Sequence, residues 1–413
     1  MNPRLSELET AVLAEGREWT RRRLEEILQT EAEQLRSCPQ SGLVLKNLRT
    51  HSFTLNTVSG IVTIRAPYGF STKTGRWICP ARLHWSLEKH QRLSPVFEQR
   101  LAWNAVVTGS YEKAAALAVC WGSSISDDGI HALVQRVGAR TPKFDVPVPP
   151  RANAPTFSLV IMLDGWMVRE RGAQWGAPPL SVNPERVAWH EVKSAVIYRL
   201  EDRAQNASGR GLLVEKNVVA CTPGTDPLEF GAAVQQEAMR CGLARAREVF
   251  VVADGAVWIW RLIADRFPTA TKTLDFYHAS EHLWELAHHL HPDNPQLAAR
   301  WVEPLLHRLR HDPEHRLIES LEELLHSASF PDPRQDLHVT REIEYFRPHQ
   351  EHLQYSSLHA RGAPIGSGAM ESACSQFQNR FKRRGQFWTR SGLCCLLAVD
   401  VAAKNRSLPF LWN

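Results

Sequence analysis

"TFSLVIMLDG", residues 156–165, runs through an unbroken apolar stretch and stops on an acid and a glycine. "EVFVVADG", residues 248–255, repeats the pattern. A short apolar run rich in branched residues and bounded by Gly reads as a buried strand. An acid at the carboxyl end of such a strand suits core packing badly. It suits the sheet edge, where open α/β sheets take their ligands. Each Asp before Gly, taken alone, is equally well a turn residue. The elements between and around the two runs decide between these readings.

"AWHEVKSAVIYRL" (188–200) and "GLLVEKNVVACTPG" (211–224) read as second and third strands. "PLEFGAAVQQEAMRCGLA" (227–244) is a helix with Phe230, Val234 and Met239 inward, and "VWIWRLIADRF" (257–267) is another. "ATKTLDFYH" (270–278) reads as a fifth strand that runs into His278. Three strands joined directly, then helices alternating with strands, describe an α/β, ribonuclease H-like domain. The first three strands are expected to be antiparallel and the rest parallel. The first and fourth strands are then neighbours, and Asp164 and Asp254 lie side by side. Like charges at close range need a positive charge between them. Hard carboxylate oxygens suit Mg²⁺, and two such ions would serve phosphoryl transfer. After His278 come amphipathic helices separated by Pro and Asp, an all-helical insertion at about 279–362.

"GAPIGSGAMESACSQFQNRFKRRGQFW", residues 362–388, follows the insertion. Gly366 and Gly368 permit a turn that a side chain would hinder, and Ser367 is placed to cap a helix. Glu371 falls in its first turn and could close a site with Asp164 and Asp254. Phe377 and Phe381, four apart, make an apolar face. Arg380, Lys382, Arg383 and Arg384, with Arg390 beyond, form a basic cluster suited to phosphates. Phe387 and Trp388 suit packing, or stacking on a base.

The chain has 413 residues and a net charge of +5, a mild excess that fits a polyanionic partner. Residues 1–36 read as a helix carrying Leu5, Leu8, Val12, Leu13, Leu24, Ile27 and Leu28 at helical spacing. Within a β region at 37–90, residues 43–66 change period, and "FTLNTVSGIVTIRAPYG" alternates like a hairpin with "VSG" as its turn. Residues 91–140 give helix, a turn at Gly122 and helix, with Ser126 as cap, which is helix-turn-helix grammar. Five Pro in "TPKFDVPVPPRANAP" mark a linker at 141–156, ahead of the domain 157–413. The eight Cys form no framework and the N-terminus has no signal-peptide core, so a soluble, cytoplasmic protein is expected, with no membrane partner.

The order Asp164, Asp254, helical insertion, Glu371 resembles a DDE transposase. Asp275 and His278 match the Asp/Cys-two-His signature of its Mutator-like branch, and residues 362–388 resemble the terminal block of bacterial insertion-sequence transposases of the Kra type. The resemblance covers nearly the whole chain. It implies an enzyme that binds terminal inverted repeats through its N-terminal region, then cleaves and joins DNA strands with two Mg²⁺ (or Mn²⁺) ions on Asp164, Asp254 and Glu371. It implies a homo-oligomer, a dimer on DNA, in a bacterial nucleoid. Asp275 and His278 would be an auxiliary motif. Two rivals stand beside it: a domesticated, non-catalytic DNA-binding protein, and a ribonuclease H-like nuclease without strand transfer. The family has two Cys-x-x-Cys knuckles near its N-terminus, whereas "CPQS" and "CPAR" here keep Cys38 and Cys79 but place Ser41 and Arg82 at the partner positions. Structural zinc needs four ligands. His51, His84 or His90 could substitute for the missing Cys, but zinc is not expected, and the ribbon-like region is expected to be held by its apolar strands alone.

Overall fold

The computed structural model describes residues 3–39, 41–141, 156–176, 186–205, 207, 211–327 and 333–412. It has two compact units, Met1–Phe144 with Arg406–Asn413, and Asp145–Asn405. The Pro-rich linker lies outside the described residues except for its ends, Thr141 and Thr156.

In the first unit, helix α1 (Pro3–Gln34) precedes a three-stranded sheet of β1 (Lys46–Thr57), β2 (Gly60–Ser71) and β3 (Arg76–Ile78), with β2 in the middle. β3 pairs only with Gly69, Phe70 and Ser71, which leaves one edge of β2 open before it. Side chains of α1 serve that edge. Gln29 pairs with both the N–H and the carbonyl of Arg65, each at 2.9 Å, and Glu25 accepts from Thr63 N–H. An unpaired edge is thereby covered rather than offered to another chain. Leu24, Leu28 and Ala32 pack on Val62, Ile64 and Ala66. The helix period was legible, but Leu5, Leu8, Val12, Leu13 and Ile27 are exposed rather than inward.

A short helix α2 (Pro80–His84) leads to α3 (Pro95–Val107), α4 (Tyr111–Val119) and α5 (Asp127–Arg140). Gly122 turns the chain with φ 83°, in the left-handed region that costs Gly little. Ser126 Oγ accepts the Gly129 N–H, and Ile130, Leu133, Val134 and Val137 are buried, as their spacing predicts.

The second unit is built on β4 (Ser158–Arg171) and β5 (Val187–Arg199), then a small separate hairpin of β6 (Arg203–Gln205) and β7 (Gly211–Leu213), then β8 (Asn217–Ala220). Helix α6 (Pro227–Cys241) leads to β9 (Glu248–Ala253), and α7 (Val257–Arg266) to β10 (Thr271–Leu274). The five-stranded sheet has the order β10-β9-β4-β5-β8. β4–β5 and β5–β8 are antiparallel, β4–β9 and β9–β10 parallel. The central strands are therefore the two apolar runs, and the strand directions are those expected.

Four details differ from the sequence reading. β4 does not end at Asp164 but runs on to Arg171, because β5 continues the ladder opposite it. The third expected strand breaks, and only Asn217–Ala220 joins the sheet. The fifth strand stops at Leu274, and residues 276–278 already belong to a helix. In α6, Ala238 takes the inward place and Met239 is exposed, since burial follows Phe230 and Val234 at steps of four.

Helices α8 (Phe276–Leu290), α9 (Pro295–His311), α10 (Leu317–Ser327), α11 (Pro333–Phe346) and α12 (Tyr355–Ala360) follow β10. They share a core that includes Leu283, Val302, Leu321, Ile343 and Phe346 and takes in Leu274 of β10. The chain then returns to the sheet as α13 (Gly368–Phe381) and α14 (Arg390–Lys404). Helices α6 and α7 cover the face bearing Leu159, Ile161 and Leu163. Side chains alternate along a strand, so Trp166 points to the other face, where it stacks on Phe377 of α13 at 5.7 Å and 8°. Asn405 closes the β8 edge, accepting from Val218 N–H and donating to Val218 O.

Candidate active site

Asp164 lies on β4 at the level where its parallel neighbour ends, since Leu163 pairs with Ala253 and Asp254 comes next. The two carboxylates thus leave adjacent strands at one level. The Asp164 carboxyl is pushed up to about 6, first by its burial, then by the charge of Asp254, and further by Glu191. Two hydrogen bonds act against the rise. Gly165 N–H donates to Oδ1 at 2.6 Å, and the Cys374 thiol donates to Oδ2 at 3.4 Å. Asp254 is held by the turn that follows it, where Ala256 N–H donates to Oδ1.

Glu371 is exposed in the first turn of α13, one turn before Cys374. The helix that carries it therefore touches Asp164 through Cys374. The stacking of Phe377 on Trp166, with Phe381 tilted against the same ring, fixes that approach. Ser367 takes the cap position, but its hydroxyl donates to Glu371 Oε1 at 3.3 Å instead of capping the backbone. Gly366 has a steric reason, since a Cβ there would come within 2.6 Å of the Tyr277 ring. Gly368 has open space around it.

Asp275 is buried and caps α8, accepting at Oδ1 from Tyr277 N–H (2.6 Å) and His278 N–H (3.1 Å). Its Oδ2 accepts from Ser367 N–H at 2.6 Å. Asp275 is thus the clip between the end of β10 and the turn before Glu371. The His278 ring does not pair with it and lies 3.6 Å from Glu281 instead.

The basic cluster divides. α13 ends at Phe381, so Lys382, Arg383 and Arg384 follow in a turn rather than along the helix. Arg380 does not face outward. It is buried at 5% exposure, over the rings of Phe381 and Trp388, where its charge bears on buried Asp400. Arg390 is taken up by Glu170 at 2.7 Å and by the Pro223 carbonyl. Lys382 lies 5.4 Å over the Trp189 ring, while Arg383 and Arg384 are exposed. Trp388 is structural. Its N–H and carbonyl zip to Arg169 and Arg171 of β4. Phe387 packs at 4.9 Å from Trp175.

Three neighbours of the acids were not foreseen. Cys374 needed the long-range docking of α13 to be seen. Glu191 lies on β5, its carboxylate against Gly165. The Tyr345 ring of α11 lies against Gly255, its hydroxyl buried and without a hydrogen-bond partner among the described residues. Burial and the charge of Asp254 hold that phenol well above its usual range.

The excess negative charge at Asp164 and Asp254, and the hard oxygen donors, fit a divalent cation. With the side chains as they stand, no three His, Cys, Asp or Glu among the described residues converge on one ion position.

One protein family matches the chain over residues 3–168 and 240–408, under the description "Uncharacterised protein family (UPF0236)". The chain belongs to this family. Asp164, Asp254 and Glu371 all lie within the matched UPF0236 segments. A "UPF0236 protein in vanSb 3'region" from Streptococcus gallolyticus is 25% identical over 329 residues, covering 77% of this chain and 65% of that protein. This chain therefore spans less than two thirds of its relative's length. Among solved structures, the "Drosophila P element transposase strand transfer complex" is similar over 76% of this chain and 93% of that chain, at 11% identity and a TM-score of 0.37. At that score the likeness does not establish a shared fold. No helix among the described residues is long and apolar enough to cross a membrane.

Proposed function

We propose that this UPF0236 protein is a DNA transposase of the DDE class, on a ribonuclease H-like sheet, resembling bacterial insertion-sequence enzymes of the Kra type. The observation that carries the reading is the pair Asp164 and Asp254 at one level of adjacent parallel strands, with the Glu371 helix docked against Asp164 through Cys374. Strand order and direction support it too, since the first, second and third strands are antiparallel neighbours and the fourth and fifth follow in parallel.

Asp164, Asp254 and Glu371 would hold divalent cations. When bound, Mg²⁺ or Mn²⁺ would offset the carboxylate charge and activate the attacking oxygen. The chain's own residues hold this arrangement in place. Cys374 donates to Asp164 Oδ2 and fixes its rotamer, while Asp275 and Ser367 set the start of the Glu371 helix. Arg383 and Arg384, exposed beyond α13, would hold flanking phosphates without reading sequence. The α3–α5 region of the N-terminal unit would engage the terminal inverted repeats, with the protein acting as a dimer.

Purified protein incubated with Mg²⁺ and DNA carrying the element's flanking repeats should give nicks at the repeat ends and joined strand-transfer products. Asp164→Asn should give neither while retaining repeat binding. Parental cleavage by Asp164→Asn would refute the assignment. Nicks without joined product would favour a nuclease.

A further inference from the structure

We infer that a groove on the small sheet of the N-terminal unit binds single-stranded DNA, with an unstacked base on Trp77 and its phosphates on Arg76, Lys89 and Arg92. The groove has a volume of about 910 Å³. It lies over β1 and β3 and the loop after α2, so it is distinct from the acidic site and from α3–α5.

Three observations carry this inference. The first is charge. Arg76, Lys89 and Arg92 line the groove, and no Asp or Glu does among the described residues. The three are exposed and make no ion pair among the described residues. Glu88, the nearest acid in sequence to Lys89, is drawn off by Arg136 at 3.9 Å and Arg140 at 3.6 Å. The groove therefore presents positive charge with no internal neutralisation, which suits a polyanion.

The second is a stacking platform. Tyr68 and Trp77 are stacked at 5.5 Å and 22°, and Trp77 keeps 39% of its surface exposed. The Arg49 guanidinium lies 5.2 Å from the Trp77 ring centroid. A planar cation on an indole occupies the slot that a base would take. A base can displace it, and the freed guanidinium then meets the backbone of the same strand. Cationic grooves interleaved with aromatic faces are how proteins hold single strands without reading their sequence.

The third is rigidity of the loop after α2, which Arg82 secures. Arg82 sits 5.1 Å over Phe53 and donates to the carbonyls of Glu88 and Gln91. That fixes the loop bearing Lys89 and Arg92 against the sheet. A concave groove with flat aromatic faces admits unpaired bases, whereas a duplex keeps its bases stacked on one another. This deepens the DNA-processing reading and rests on it for the source of the single strand, at the opened repeat ends.

The test is fluorescence anisotropy of labelled dT20 with the whole 413-residue chain, competed by unlabelled dT20, a 20-bp duplex or dTMP. Trp77→Ala should weaken dT20 binding by about five- to a hundredfold, and Trp77→Phe should restore most of it. Arg76→Ala with Arg92→Ala should lower the salt dependence of dT20 binding by about 1.4 in log–log slope, at ~0.7 per phosphate contact. Duplex binding should change little in both. Unchanged dT20 affinity in a Trp77→Ala protein that melts like the parent would overturn the inference. So would equal loss of duplex binding, or full competition by dTMP. The two readings separate in the outcome. Trp77-dependent dT20 binding without Mg²⁺-dependent nicking leaves the groove standing and removes the transposase. Nicking without Trp77 dependence does the reverse.

Discussion

Asp164→Asn should make the protein more stable at pH 8 while removing its chemistry. The carboxyl sits at about 6 against an ordinary value of 3.8, with burial as the largest cause. A rise of about two units corresponds to about 3 kcal/mol between the protonation states, at 1.36 kcal/mol per unit. Because the folded value is raised, the parent keeps its full stability only below about pH 4 and loses it as pH rises through about 6. The neutral amide escapes that loss, and Asn can still accept the Gly165 N–H. In urea unfolding without metal, the variant should exceed the parent by up to about 3 kcal/mol at pH 8. The advantage should shrink through pH 6 and vanish near pH 4. Mg²⁺ at ten times its dissociation constant should return about 1.4 kcal/mol to the parent and nothing to the variant. A variant less stable than the parent at pH 8, or an advantage equal at pH 8 and pH 4, would refute the reasoning.

Glu371→Gln should bind repeat DNA like the parent in a gel-shift assay and yield no nicks. Neutralising exposed Arg383 and Arg384 together should weaken duplex binding across sequences and flatten its log–log salt slope by about two contacts. Cleavage at saturating DNA should survive in part. Arg380→Ala should instead lower stability in thermal melts, by on the order of 1 kcal/mol, because it removes a buried cation packed over Phe381 and Trp388; the ion pair of Asp400 with Lys404 remains. Asp275→Ala leaves three backbone N–H groups without their acceptor. It should cost about 2–4 kcal/mol and depress cleavage even though Glu371 is intact.

The paired acids were legible because both end apolar runs whose burial is set by local composition. The order of the first three strands was legible because no crossover helix separates them, which makes them antiparallel neighbours even with the small β6–β7 hairpin between the second and the third. The continuation of β4 was obscured by Asp164-Gly165, which looks like a turn. The alternation of Trp166 and Val168 beyond it, both buried, was the signal that outweighs it. Arg380 was assigned to solvent by its charge alone. Its position three residues after Phe377 puts it on the same helical face, where aliphatic and aromatic partners shield it. The burial of α1's first half depends on what lies beside it, which the helical period does not encode. Cys374 at Asp164, and Tyr345 at Gly255, depend on elements distant in sequence, so no local pattern announces them.

The clip at Asp275 has a meaning for how such a chain can change. Ser367 lies 92 positions from Asp275, and Phe276 N–H also donates to the Ile365 carbonyl. The helical excursion thus leaves and rejoins the sheet at one doorway. Its helices supply nearly all of one core, which meets the sheet at Leu274 and α7 at Trp260, and closing a longer path costs only a slowly rising entropy. The excursion is in that respect a pendant. Helices can be lengthened, exchanged or fused to a passenger domain at its far end while the acidic residue at the doorway keeps its address.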